Sequence, residues 1–142
     1  MERLTARLTL VGALAYLVAA TFPYAVADVS EVGVYYGVGP LSPLLLLGPT
    51  GIALIAAFSG AKRRSDPATM AGVALVMGAT TALLTALWAL PAGSVVGGMA
   101  SVSATFAYHR WAVLLAACLV AAGGAGYAAA VLGVVGSETK GV

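Results

Sequence analysis

Charge is what this sequence has least of. Only 8% of its 142 residues are Asp, Glu, Lys or Arg, and 61% are hydrophobic. Ordinary soluble domains carry roughly 25% charged residues. A soluble fold of this length leaves a large share of its area in water and has no room to hide so much apolar surface. Lipid is therefore the expected solvent for most of the chain, which by length is a single domain. Cysteine is nearly absent too. Cys118 stands alone, which excludes an intrachain disulfide and a cysteine-based metal cluster. Histidine is equally scarce: His109, with no cysteine near it, makes a poor metal site, and a haem would need its second axial ligand from another subunit. The net charge of +2 is too small to point to nucleic acid.

Embedded acid is also missing. No Asp or Glu lies in the middle of a long apolar stretch, so there is no buried carboxylate pair for proton transfer or ion coupling. The hydroxyls suggest no Ser-His-Asp order, and no glycine-rich segment sits between a strand and a helix where it would cradle phosphate. The expectation is a protein that is not an enzyme and carries no cofactor and no metal.

What is present is a pattern of long uncharged intervals. They run over 8–27, 32–61, 67–109 (His109 counted neutral) and 111–137. A spanning helix needs about twenty mainly apolar residues, so each interval holds a span. The predicted architecture is all-α, an up-and-down bundle of four transmembrane helices at about 4–27, 41–60, 67–90 and 107–136. The basic start, apolar run and "AVA" at Ala25–Ala27 imitate a secretion signal. The run is longer than most such signals, so a retained anchor is expected.

Local chemistry refines the boundaries. Ser42 and Pro43 suit an N-cap and first-turn pair, which places Gly48, Pro49 and Gly51 inside the second helix. Pro49 lacks an N–H and its ring crowds the preceding turn, so a kink or break is predicted there. Asp66 and Pro67 give a sharp start to the third helix, and Pro91-Ala92-Gly93 is expected to end it. The stretch from Gly93 to Thr105 is expected to be mainly loop, and Gly33 to Gly39 a tight outer loop.

Orientation follows from the basic residues. With the N-terminus inside, Arg3, Arg7, Lys62, Arg63, Arg64 and Lys140 fall on the inner side and only Arg110 on the outer. That is a strong positive-inside bias, predicting a multi-pass protein of the plasma membrane with both termini cytoplasmic. The Lys62-Arg63-Arg64 cluster is accounted for by topology.

The same topology gathers Asp28, Glu31, Tyr35, Tyr36, His109 and Arg110 at the outer boundary. First and last helices of an up-and-down bundle are neighbours, so Arg110 is expected to pair with Asp28 or Glu31. Tyr108 and Trp111 are expected to anchor at headgroup level. The cluster is read as a structural joint, with a small polar site capped by His109 as the functional alternative.

Small residues form rows. Cys118, Ala122, Gly126 and Ala130 recur every four residues on the last helix, with Ala125, Ala129 and Gly133 beside them; the third helix offers Ala74, Gly78, Thr81 and Thr85. In lipid such rows let helix backbones approach closely. They serve packing within one bundle, or contact with another subunit.

The segments "YYGVGPLSPL", "RRSDPATMAGVALVMG" and "YHRW" resemble a family of small haloarchaeal membrane proteins of unknown function. The resemblance covers nearly the whole chain with the same four spans, and implies an archaeal plasma membrane but no activity. The leading functional expectation is a non-catalytic membrane component, a self-assembling bundle or an accessory subunit of a larger membrane complex. Its partners would be the bilayer, further copies of itself or other membrane subunits, and not nucleic acid. A small transporter or channel using the broken second helix is the alternative, and an outer-face enzyme using His109 comes third.

Overall fold

Pro23 stops the first helix early. α1 runs Glu2–Thr21, and the computed structural model, which describes residues 2–38, 42–96 and 103–133, continues with two short pieces, α2 (Pro23–Val26) and α3 (Val29–Tyr36). The remaining helices are α4 (Leu47–Ala61), α5 (Pro67–Val96) and α6 (Ser103–Val131). Among the described residues there is no strand. α1, α5 and α6 are long and apolar enough to cross a membrane, and α4 is a shorter apolar helix. α1 packs against α6 and α4, and α5 against α6 and α4, closing a ring of four in which first and last helices are neighbours. One end of the ring carries Lys62–Arg64 and is here called the basic end. The opposite end, where α2 and α3 lie, is the aromatic end.

Several boundaries differ from those expected. The second long helix does not run over 41–60 with a break. It begins at Leu47, with Leu46 as N-cap, so Pro49 is its third residue. The first N–H groups of a helix have no partner inside it, and a proline there removes nothing. Gly48, Pro49 and Gly51 therefore do not interrupt a helix; they start one. Before it, Leu45, Leu46 and Leu47 donate to the carbonyls of Ser42, Pro43 and Leu44 at 3.0, 3.1 and 3.2 Å. With bonds of this three-residue spacing each residue rises about 2 Å, so residues 43–46 add about 8 Å to the roughly 22 Å of a 15-residue helix. The combined length matches a hydrocarbon core of about 30 Å. Within hydrocarbon, non-helical backbone is tolerated only when buried in protein. Here Leu46 is buried, and the Tyr16 hydroxyl donates to the Pro43 carbonyl at 3.5 Å.

Pro91 likewise does not end α5, which continues through it to Val96. The proline withholds a single hydrogen bond, and the Arg110 guanidinium supplies donors to the same turn from α6. Residues Gly33–Tyr36, expected as loop, are the second half of α3. α6 starts at Ser103, four residues before Ala107; its expected end at Gly136, like residues 97–102 and Gly39, lies outside the described residues. The start of α5 is as expected: Asp66 Oδ2 accepts from the Thr69 N–H at 2.9 Å and its hydroxyl at 2.8 Å, and these bonds hold the Asp66 carboxyl below its ordinary pKa.

The core changes composition toward the basic end. There and at mid-height the buried apolar residues are mostly alanine, including Ala6, Ala13, Ala53, Ala57 and Ala74. α6 turns two adjacent glycines toward two neighbours. A Cβ on Gly123 would meet the Thr9 backbone nitrogen at 2.5 Å, and one on Gly124 the Ala74 carbonyl oxygen at 2.6 Å. Gly12 and Gly78 oppose them, each facing Val120 backbone atoms at 2.8 and 2.9 Å. Buried hydroxyls are spent inside the ring: Thr81 donates to the Met77 carbonyl at 2.8 Å and lies 3.3 Å from Thr50 Oγ1, and Thr85 lies 3.0 Å from the Tyr16 hydroxyl.

These contacts set a contrast between glycines. Gly124→Ala forces backbone apart and is expected to cost about 1–3 kcal/mol, the usual toll of overpacking. Gly72→Ala has no atom within 4 Å of the new Cβ and is expected to be neutral or to gain up to about 1 kcal/mol in helix propensity. Reversible denaturation of the two variants in mixed detergent micelles measures the difference.

Candidate functional site at the aromatic end

Two carbonyls released at the end of α1 organise this site. In an unbroken helix the Ala19 carbonyl would accept from residue 23, which is a proline and has no N–H. The Ala19 oxygen accepts instead from the Phe22 N–H at 3.3 Å and from His109 on α6, whose Nε2 takes the place of the missing donor. The next carbonyl, Ala20, accepts from the Tyr36 hydroxyl. A histidine from one helix and a tyrosine from the return segment thus complete the terminus of a third element.

His109 Nδ1 lies 3.0 Å from the Tyr35 hydroxyl, which is also 3.2 Å from the Phe106 carbonyl oxygen. A carbonyl only accepts, so Nε2 carries the proton toward Ala19. In the neutral ring Nδ1 is then the acceptor for the Tyr35 proton. Should Nδ1 gain a proton, it would donate to the Tyr35 oxygen while the Tyr35 hydrogen turned to Phe106. Every member of the chain Ala19–His109–Tyr35–Phe106 has a partner in either state.

Aromatic stacking surrounds this chain. The Tyr35 ring stacks on Phe106 at 4.3 Å between centroids, on Tyr36 at 5.4 Å, and tilts against Trp88 at 5.1 Å. Trp88 Nε1 donates to the Tyr35 carbonyl at 2.9 Å. Phe22 stacks on His109 at 6.0 Å. Trp88, Tyr16, Tyr35 and Phe106 are fully buried. Burial pushes both the Tyr35 and Tyr36 phenols well above the ordinary tyrosine range; the Arg110 charge pulls Tyr35 partly back, and neighbouring tyrosines push Tyr36 further up. Both remain hydroxyl donors at any physiological pH.

The expected cluster is therefore gathered in part. Tyr35, Tyr36 and His109 come together inside the bundle. Arg110, expected to pair with Asp28 or Glu31, directs Nη1 to the carbonyls of Ala89 and Leu90 at 2.9 and 3.4 Å, in the turn that carries Pro91. Its guanidinium lies 4.6 Å from the Trp111 ring centroid, and Nε is buried with no hydrogen-bond partner among the described residues. Asp28 is exposed before α3, where its carbonyl accepts from the Val32 N–H at 3.0 Å. Glu31 lies in α3; its side chain is outside the described residues. Tyr108 and Trp111 face outward.

Of the small-residue row, Cys118 and Ala122 are exposed, while Gly126 is half-buried with its Cα hydrogens against Thr5 and Ala130 is half-buried. The contact between α6 and its neighbours runs instead through Gly123 and Gly124, one position around the helix. Trp88, Phe106, Phe22 and Pro23 belong to the aromatic end but were not among the expected residues. Pro23 was the available signal, since a proline four residues after Ala19 announces an unpaired carbonyl.

The site meets the surface in an open, mainly apolar groove of about 630 Å³ between α1 and α6, with His109 at its floor and Leu14, Val18, Phe22 and Tyr108 on its walls. His109 itself is only 6% exposed. Tyr35→Phe deletes the donor to a buried acceptor and is expected to cost about 1–3 kcal/mol. Tyr108→Phe, at a side chain that is 79% exposed, is expected to stay within about 0.5 kcal/mol of the parent. Parallel thermal unfolding in one detergent compares them.

No curated protein and no solved structure matches the chain. The model of a family of unknown function, DUF7548, matches residues 1–132, and the chain belongs to that family.

Proposed function

We propose that the protein is a multi-pass integral membrane protein with a non-catalytic role, assembling with further copies of itself or as an accessory subunit of a larger membrane complex. The observation that carries this reading is the outward face of α6. Gly123 and Gly124 are consumed inside the ring, yet Cys118, Ala122 and Ala125 are exposed on the outside. Large apolar side chains are exposed elsewhere on the ring, among them Leu14, Val18, Ile55, Leu83, Leu90 and Leu115. Bulky residues suit lipid tails, whereas small ones suit a second helix at close range.

A non-catalytic role is supported by the state of His109 and Tyr35. Both imidazole nitrogens and the Tyr35 hydroxyl are engaged in bonds that hold α1, α3 and α6 together. The transporter alternative drew on an interrupted helix at Gly48–Gly51. With Pro49 in the first turn of α4, it keeps no observation of its own. For orientation, the excess of Lys and Arg at the basic end supports cytoplasmic termini, and the resemblance to haloarchaeal membrane proteins suggests an archaeal plasma membrane.

Gentle extraction followed by native electrophoresis tests assembly. The 14.0 kDa chain is expected to migrate in a larger complex, and Ala122→Ile, which fits lipid but not a close helix contact, is expected to release it. Oxidative cross-linking through Cys118 distinguishes a partner copy from another subunit. A parent chain that purifies as a lone monomer contradicts the proposal.

A further inference from the structure

The basic end holds a cleft that topology alone does not explain. It lies between the start of α1 and the end of α4, encloses about 450 Å³, and is lined by Arg3, Ala6, Arg7, Leu10, Phe58 and Lys62. On α1 these residues fall at i, i+3, i+4 and i+7, which is one helix face. Three of the chain's seven Lys and Arg residues thus converge from two helices on one small volume. A positive-inside bias requires basic residues on one side of the membrane; it does not require them to share a cleft.

Two features make the convergence unfavourable as it stands. Among the described residues, no carboxylate pairs with Arg3, Arg7 or Lys62, and the nearby Asp66 carboxylate is engaged by Thr69. Arg3 also lies in the first turn of α1, where the helix macrodipole is already positive and a cation is destabilising. An anion in the cleft would relieve the mutual repulsion and the dipole penalty together.

The rest of the cleft narrows the choice of anion. Ala6 is buried, Leu10 is half-buried, and Phe58 presents a ring face, with Lys62 and Arg64 at 6.0 and 5.6 Å from its centroid. A small hydrophilic anion would use the cations and leave the apolar floor uncovered. An anion carrying acyl chains would use both, its phosphate among the cations and its glycerol and first methylenes along Leu10 and Phe58. Basic pockets between helices at the cytoplasmic side bind anionic headgroups in this way.

We infer that the cleft formed by Arg3, Arg7, Lys62 and Phe58 is a binding site for the phosphate headgroup of an anionic phospholipid, one per chain. The inference rests on the membrane reading above. Its test uses the full chain in nanodiscs of phosphatidylcholine containing increasing fractions of phosphatidylglycerol, with retained lipid counted by native mass spectrometry. One phosphatidylglycerol per chain is expected to be retained in preference to phosphatidylcholine. Each cation near an anionic surface contributes roughly fivefold in affinity. Lys62→Gln should therefore weaken retention about fivefold, and Arg7→Gln with Lys62→Gln about thirtyfold. Arg63→Gln removes the same charge from a residue that does not line the cleft and should change little.

Equal losses for Arg63→Gln and Lys62→Gln would show diffuse surface charge and overturn the site, as would undiminished retention by the double variant. Displacement of the lipid by millimolar inorganic phosphate would make free phosphate the ligand and overturn the lipid assignment. A chain that enters phosphatidylcholine discs but shows no preference for phosphatidylglycerol contradicts this inference alone. A chain that does not enter them overturns the membrane reading along with it.

Discussion

The approach of α6 to backbone contact with both α1 and α5 is the constraint on which the rest of the molecule depends. Gly123 and Gly124 make it possible by presenting no side chain to either neighbour. Backbones at this range gain dispersion contacts along both seams. Alanine then makes up most of the core toward the basic end, beside Val120 and Tyr127, and the buried threonines find partners across or along helices.

At the aromatic end the core is built of large side chains, Tyr16, Tyr35, Trp88 and Phe106. Tyr35 comes from α3, a segment of the connection between α1 and α4, so the connection serves as the upper core. The polar atoms of this plug go to backbone carbonyls near two prolines. His109 and Tyr36 receive the α1 terminus that Pro23 truncates, and Arg110 reaches the turn of α5 that contains Pro91. The cluster that drew attention as the one chemically rich stretch is thus a set of helix-end ligatures, which accounts for both imidazole nitrogens being occupied.

The sequence carried the all-helical class, the adjacency of first and last helices and the Asp66–Pro67 start of α5, because each depends on a local or compositional rule; of the four long spans expected, three are long helices and the second is the shorter α4. It also carried the meeting of Tyr35, Tyr36 and His109, since topology alone brings them to one end. The treatment of proline was less legible. Pro49 was expected to break a helix, yet a proline's effect depends on its distance from the helix start, and that start was set by a buried turn at Pro43–Leu46 whose carbonyl binds Tyr16. Pro91 was expected to end a helix that tertiary contacts carry onward. Among the small residues, the four-residue spacing of Cys118 and Ala122 was visible, but spacing does not say which side of a helix faces inward. The adjacent pair Gly123–Gly124 turned out to hold the inner position, because α6 touches two neighbours at once and needs a gap toward each. Charge complementarity pointed Arg110 to Asp28 or Glu31; its described bonds go to carbonyl oxygens of α5, and the Glu31 side chain lies outside the described residues.

The central claim is that α3 is part of the bundle core and not a surface loop. Amide hydrogen exchange of the intact chain, in detergent or discs, measures it most directly at residues 32–36. The structure predicts exchange as slow there as in the neighbouring turns of α5 and α6 around Trp88 and Phe106, with protection lost in step with theirs as denaturant rises. Exchange at the rate of an open, solvated loop, while α5 and α6 stay protected, would contradict it.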